Sequence, residues 1–195
     1  MNGFERRKQK KQQDIQSATL KLFNQFGPSG MNIAKIAKEA KVSQVTIYNH
    51  FENKEQLIRE TIKVYLKKQF ELYEQLLLSN SKFETKLKNI MFEKSKSFTT
   101  INPQFLQELI LEDEPLQKWF QSFYTEQSLP LLIKFIKISQ QKGEINPKLS
   151  VDTILFYIQA LKTQIDQLSP NDIASFDKNK SLEILHIFFK GISPD

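Results

Sequence analysis

Along the first quarter of the chain the inward-facing positions recur with a helical period. Ile15, Ala18, Thr19, Leu22, Phe23 and Phe26 fall at i, i+3, i+4, i+7, i+8 and i+11, one face of an amphipathic helix, and Gly27-Pro28 ends it. Asn32, a good N-cap, opens a second helix whose stripe is Ile33, Ile36, Ala37 and Ala40. Only Lys41 and Val42 separate its end from Ser43, the next N-cap. A third, short helix is therefore expected from about Gln44 to His50, with Ile47 and Phe51 turned inward. Three helices with a tight turn between the last two read as a helix-turn-helix.

Asn53 followed by Gln56 resembles a capping box and opens a much longer helix. Ile58, Ile62, Tyr65, Leu66, Phe70, Tyr73, Leu76 and Leu77 carry its apolar side to about Ser79, a span of roughly 40 Å at 1.5 Å per residue. No flexible linker separates it from the first three helices. The remainder reads as helices joined by short polar loops, at about Phe83–Phe98, Pro103–Glu112 and Pro115–Lys142. The last of these is expected to kink or break at Pro130 and to be capped by Gly143. Two final helices follow. One carries Val151, Ile154, Leu155, Ile158, Leu161, Ile165 and Leu168; the other carries Leu182, Leu185, Phe188, Phe189 and Ile192. With no strand pattern and no internal repeat, the expectation is an all-α chain. It divides into a helix-turn-helix module over residues 1–54 and a helical bundle over 55–195.

Charge sharpens this division. The chain of 195 residues has a net charge of +6. Residues 1–54 hold ten Lys or Arg against Glu5, Asp14, Glu39 and Glu52, so the whole excess sits there and the rest sums to zero. A basic first module suits a polyanion. The run "RRKQKK" reads equally as a solvated tail or as an arm on that polyanion. The absence of cysteine excludes disulfides and thiolate metal sites and fits a reducing cytoplasm. No apolar run is long enough for a membrane span, and no apolar segment follows the basic start as in a secretory signal. No cofactor or metal is expected; a His50 metal site is improbable beside a single distant His186.

The segment "VSQVTIYNHFENKEQL" concentrates the candidate chemistry. With Ile47 and Phe51 buried, Gln44, Val45, Thr46, Tyr48, Asn49 and His50 are left outward, and no acid lies between Val42 and Phe51. A major groove admits such a helix. Gln44 and Asn49 can pair bidentately with adenine, and the methyls of Val45 and Thr46 can meet that of thymine. Tyr48, His50 and Lys54 suit phosphate oxygens, which fix register. The alternative for each is a plain solvated or core residue.

The stretch "MNIAKIAKEAKVSQVTIYNHFENKEQL" resembles the DNA-binding core of the TetR/AcrR family of bacterial repressors. Its pattern is met at Ile36, Ala37, Ala40, Val42, Ser43, Thr46, Ile47, Tyr48, His50, Phe51, Lys54 and Leu57, and the likeness covers about residues 11–60. Two positions depart from it. Asn32 stands where Thr is usual, and both cap. Lys41 stands at the usual turn glycine, where a left-handed backbone costs a non-Gly residue roughly 1–2 kcal/mol. Either the turn takes another geometry, or the strain is tolerated for a phosphate contact.

The resemblance implies a homodimer joined through residues 151–192, bound to an inverted-repeat operator on double-stranded DNA. It also implies a ligand-binding bundle whose occupancy tilts the long helix from Asn53 and spoils the register. The expected effector is a small apolar or amphipathic molecule, and Trp119, Phe120, Phe123, Tyr124 and Tyr157 are candidates to line its cavity. Two rival readings stand beside this one. A partner-recruiting or architectural DNA-bound protein of the same fold would need no inducer. An enzyme would have to use Glu112, Asp113 and Glu114 of "LEDEP", but a carboxylate cluster at a helix end is usually only solvated, and no second constellation accompanies it.

Overall fold

Lysine, arginine and glutamine are strong helix formers, and this decides where the chain first becomes regular. In the computed structural model, which describes residues 3–166, 183, 187 and 191–193, helix α1 runs Gly3–Phe26. The basic run is thus helical and continuous with the amphipathic stretch that begins at Ile15. Gly27, at φ 65°, turns the chain where α1 ends. Phe26 does not join the buried stripe: it is exposed, with the Lys35 ammonium 5.2 Å from its ring centre.

Helices α2 (Ile33–Ala40), α3 (Gln44–Tyr48) and α4 (Lys54–Leu78) each begin on a side-chain cap. Asn32 Oδ1 accepts the Lys35 N–H at 2.8 Å, Ser43 Oγ accepts that of Thr46 at 3.0 Å, and Asn53 Oδ1 accepts that of Gln56 at 2.8 Å. Gln56 returns its own Oε1 to the N–H of Glu52, so the α4 start is clamped from both sides. Helix α3 is shorter than the periodicity suggests. Asn49 is its C-cap and His50 lies in the following turn.

Helices α5 (Phe83–Thr100), α6 (Pro103–Glu112) and α7 (Glu114–Phe123) follow. Ile15, Leu22, Phe23, Ile36, Ile47, Phe51, Leu57, Ile58 and Ile62 share one buried cluster with Ile101, Leu109 and Leu116. The core therefore passes across residue 54 without interruption. Phe23 meets Phe105 edge-on at 6.3 Å, and Asn24 Nδ2 donates to the Thr99 carbonyl. At the far end of α4 the buried Lys86 donates from Nζ to the Leu77 carbonyl at 2.9 Å, satisfying one of the acceptors a helix C-terminus leaves open.

The chain forms two compact units, Met1–Ser128 and Leu129–Asp195. The irregularity expected at Pro130 lies earlier: Tyr124–Ser128 is a π-helical turn, and α8 (Leu129–Gln141) then takes Pro130 at its second position, where no N–H is required. In the second unit α8 buries Leu131, Phe135 and Ile136. Gly143, at φ 69°, lets the chain turn, and Gln140 Nε2 ties the loop by donating to the carbonyls of Asn146 and Leu149. Helix α9 (Val151–Asp166) buries Ile154 and leaves Phe156 exposed. The expected positions Leu168, Leu182, Leu185, Phe188 and Phe189 lie outside the described residues. No strand occurs among the described residues, and no helix there is long and apolar enough to cross a membrane.

Candidate nucleic-acid interface

The turn before α3 keeps a left-handed residue although it has no glycine. Lys41 sits at φ 55°, ψ 45°, and its N–H returns to the carbonyls of Ala37 and Lys38. Val42 N–H then reaches the Ala37 carbonyl at 3.0 Å, so two hydrogen bonds close the helix end and hold the strained residue in place. Of the two alternatives for this turn, the left-handed geometry is the one realised.

That turn presents α3 outward. Ile47 is fully buried and Phe51 nearly so, which anchors the C-terminal half of the short helix and the turn after it. Gln44, Val45, Tyr48 and Asn49 are exposed, Val45 to 67% and Tyr48 to 53%. Large apolar and aromatic side chains left open on a five-residue helix are costly in water unless they serve a contact. Thr46 is half-buried and shares a 2.8 Å hydrogen bond with Ser43 Oγ, so its hydroxyl serves the cap while its methyl stays available. Lys54 is half-buried in the first turn of α4, with its ammonium 3.6 Å from Glu55.

His50 is placed apart from the others. Its imidazole lies against Phe51, with ring centres 6.2 Å apart. Together with Asn49 it closes a groove of about 370 Å³ whose other wall is Phe4, Arg7, Lys8 and Lys11 of α1. Burial, and then the neighbouring Lys8 charge, push the His50 pKa below its ordinary value. The basic residues of this wall were legible only as part of a charge run. What singles them out is spacing: 4, 7, 8 and 11 extend the same helical face that carries Ile15, Ala18 and Leu22.

A second groove, of about 440 Å³, runs between α4 and the α7 region. Phe70, Trp119 and Phe123 form its aromatic part, with Lys67, Glu71, Glu74 and Glu126 around it. Trp119 stacks on Phe123 at 4.9 Å, and Phe70 meets Phe123 edge-on at 5.3 Å. Of the aromatic candidates named from sequence, Trp119 and Phe123 are brought together here, whereas Phe120, Tyr124 and Tyr157 do not line it. "LEDEP" resolves differently from a catalytic cluster: Asp113 caps α7 and pairs with Arg59, while Glu112 and Glu114 are exposed. Among the described residues no group of three or more His, Cys, Asp or Glu is disposed to hold a metal ion.

Residues 15–61, which hold the second half of α1, all of α2 and α3, and the start of α4, match the family model of bacterial regulatory proteins, tetR family. Over that quarter of the chain the sequence is that of a tetR-family DNA-binding region. The chain also shares its fold with several solved transcriptional regulators. The fatty acid degradation regulator FadR from Bacillus halodurans is 19% identical, with 92% of this chain and 94% of that one covered at a TM-score of 0.66. FadR from Bacillus subtilis, solved in complex with stearoyl-CoA, is 20% identical over 91% and 95% of the two chains, at 0.63. NalD, the secondary repressor of the MexAB-OprM multidrug efflux pump in Pseudomonas aeruginosa, is 20% identical over 96% and 98%, at 0.62. At these identities the likeness is one of fold. No curated protein matches the chain.

Proposed function

We propose that this chain is a homodimeric repressor of the TetR family that binds an inverted-repeat operator and leaves it when a small apolar or amphipathic effector binds. The observation that carries this reading is α3 itself, anchored by Ile47 and Phe51 while Gln44, Val45, Tyr48 and Asn49 stand open to solvent. In this reading residues 1–54 serve DNA and residues 55–195 serve ligand and dimer. Gln44, Val45, Thr46 and Asn49 read bases; Tyr48, His50 and Lys54 hold phosphates.

The aromatic groove of Phe70, Trp119 and Phe123 supports an effector role, since one of its walls is α4, the helix capped by Asn53. A tilt of about 5° in a helix of roughly 37 Å moves its tip by about 3 Å, enough to spoil a base contact. The exposed Phe156 of α9 supports a partner face within residues 151–192. Such a protein works in the cytoplasm. Selection of bound sequences from a random duplex pool, repeated with apolar and amphipathic compounds including long-chain acyl-CoA, tests the reading. An inverted repeat whose binding is lost with one compound is expected. Binding that no compound alters would favour the inducer-free, partner-recruiting alternative, and no selected duplex at all would reject both.

A further inference from the structure

The groove between α1 and the end of α3 has a composition that calls for an anion. Arg7, Lys8 and Lys11 project from one face of α1, His50 and Asn49 close the other side, and no carboxylate lines it. Arg7 and Lys8 lie one turn before Lys11, at the i+4 and i+3 spacings where like charges on a helix repel. No intramolecular anion lines the groove to offset this, and the imidazole beside Lys8 is held from charging by burial and by that lysine. Phe4 adds an apolar wall, suited to a sugar face rather than to a second charge.

The position of the groove says which anion. Asn49 belongs to both sites: it closes the groove and it also caps the exposed end of α3. Any molecule lying along α3 continues past Asn49 and His50 onto the α1 wall. Arg6 and Lys10, by contrast, fall on the opposite side of α1 and do not line the groove. A diffuse basic tail would show no such difference between faces.

We infer that the groove of Arg7, Lys8, Lys11, Asn49 and His50 is a second DNA-binding site, which takes a backbone phosphate flanking the segment read by α3. The inference rests on the reading that α3 docks on DNA, and it extends the contact to a helix face outside the helix-turn-helix. By seating the strand beyond the recognition helix, this site fixes the register from one side while Tyr48 and Lys54 fix it from the other.

The test compares two double variants of equal charge on the same helix, Arg7→Gln/Lys11→Gln on the groove face and Arg6→Gln/Lys10→Gln on the opposite face. Duplex affinity is measured against salt with the full chain, and circular dichroism checks that both variants keep the helicity of the parent. The groove pair is expected to flatten the slope of log K against log salt by about 1, since each lost phosphate contact removes about 0.9. The opposite pair should change it by less than half as much. Equal flattening by both pairs would overturn the inference while leaving α3 docking intact, because the parent still binds. If the parent shows no duplex binding that Gln44→Ala or Tyr48→Ala weakens, the docking reading fails and takes the inference with it. A groove that inorganic phosphate occupies, seen as shifted His50 ring resonances, without any effect of the groove pair on the DNA slope, would be a free-anion site and would likewise overturn it.

Discussion

Arg59 of α4 holds Asp113 at the α6–α7 junction with two nitrogens: Nε lies 2.8 Å from Oδ1 and 3.1 Å from Oδ2, and Nη2 lies 2.9 Å from Oδ2. The same carboxylate accepts the Leu116 N–H at 2.7 Å and so starts α7. One side chain thereby sets the angle between two helices and fixes both to α4. Both partners are mostly out of water, at 21% and 11% exposure, which places the pair well above an open surface ion pair.

Removing one partner should therefore hurt more than losing one hydrogen bond. Arg59→Met is expected to lower stability by about 2–3 kcal/mol, since it strands a largely buried carboxylate. A double-mutant cycle with Asp113→Asn, followed by urea unfolding, should give a coupling of at least about 1 kcal/mol. Additive losses would mean that the pair contributes only packing.

Strong acid should break this pair. Burial works against the charged Asp113, but the hydrogen bonds from Arg59 and Leu116, with the charges of Arg59 and Lys63, outweigh it and hold its pKa below the ordinary carboxylate value. Stability from a depressed carboxylate is complete above its unfolded pKa, about 3.9, and is lost as pH falls through the folded one. Melting temperature against pH should drop below about pH 4 in the parent and less steeply in Asp113→Asn. Parallel curves would exclude this group as a source of the acid sensitivity.

Lys41→Gly tests the strained turn. Glycine relieves a left-handed cost of roughly 1–2 kcal/mol but loses more chain entropy on folding, so a net gain of about 0.5–1 kcal/mol is expected. Thermal unfolding measures it. A destabilised variant would show that the Lys41 side chain makes a compensating contact.

On DNA, the two classes of contact should separate. Tyr48→Ala and Lys54→Ala should weaken all duplexes to a similar degree, whereas Gln44→Ala or Asn49→Ala should relax preference at one base pair by about 1–3 kcal/mol. Without arginine in α3, half-sites should favour A·T pairs at those positions. Selected half-sites rich in G·C would remove this assignment.

The groove adds a pH signature. His50 has its pKa lowered in the free protein by burial and by Lys8, with Arg7 and Lys11 on the same wall. A phosphate seated there would raise it again, so binding would take up a proton. Duplex affinity should then rise as pH falls from about 7.5 to about 6, and His50→Gln should flatten that dependence. In the free protein the sign is opposite, since the unfolded chain charges first as pH falls through 6.5 and stability declines.

The helix-turn-helix was legible because its signals are local. Asn32, Ser43 and Asn53 cap within three residues, and the period of Ile33, Ile36 and Ala37 needs no distant partner. Residues 3–14 were not read as helix because periodicity cannot register a helix with no apolar face, however strong its propensity. Phe26 looked buried since it continues a stripe, yet α1 ends there and nothing covers it fully. The partner of Asp113 lies 54 residues away, a distance at which a single sequence carries no pairing signal. The π-helical turn at Tyr124–Ser128 escaped for a different reason: proline marks that a helix is interrupted, but not on which side the strain is absorbed.

The cluster that runs from Ile15 through Ile62 to Leu116 bears on how chains of this fold can be recombined. A hybrid joined at residue 54 would graft half of one interior onto half of another, with Leu57, Ile58 and Ile62 facing side chains they do not fit. A hybrid joined after Ser128 would carry the whole interior with it. Residues 1–54 are therefore not a detachable part: any recombinant that keeps α1 to α3 has to inherit the helices from α4 to α7 with them.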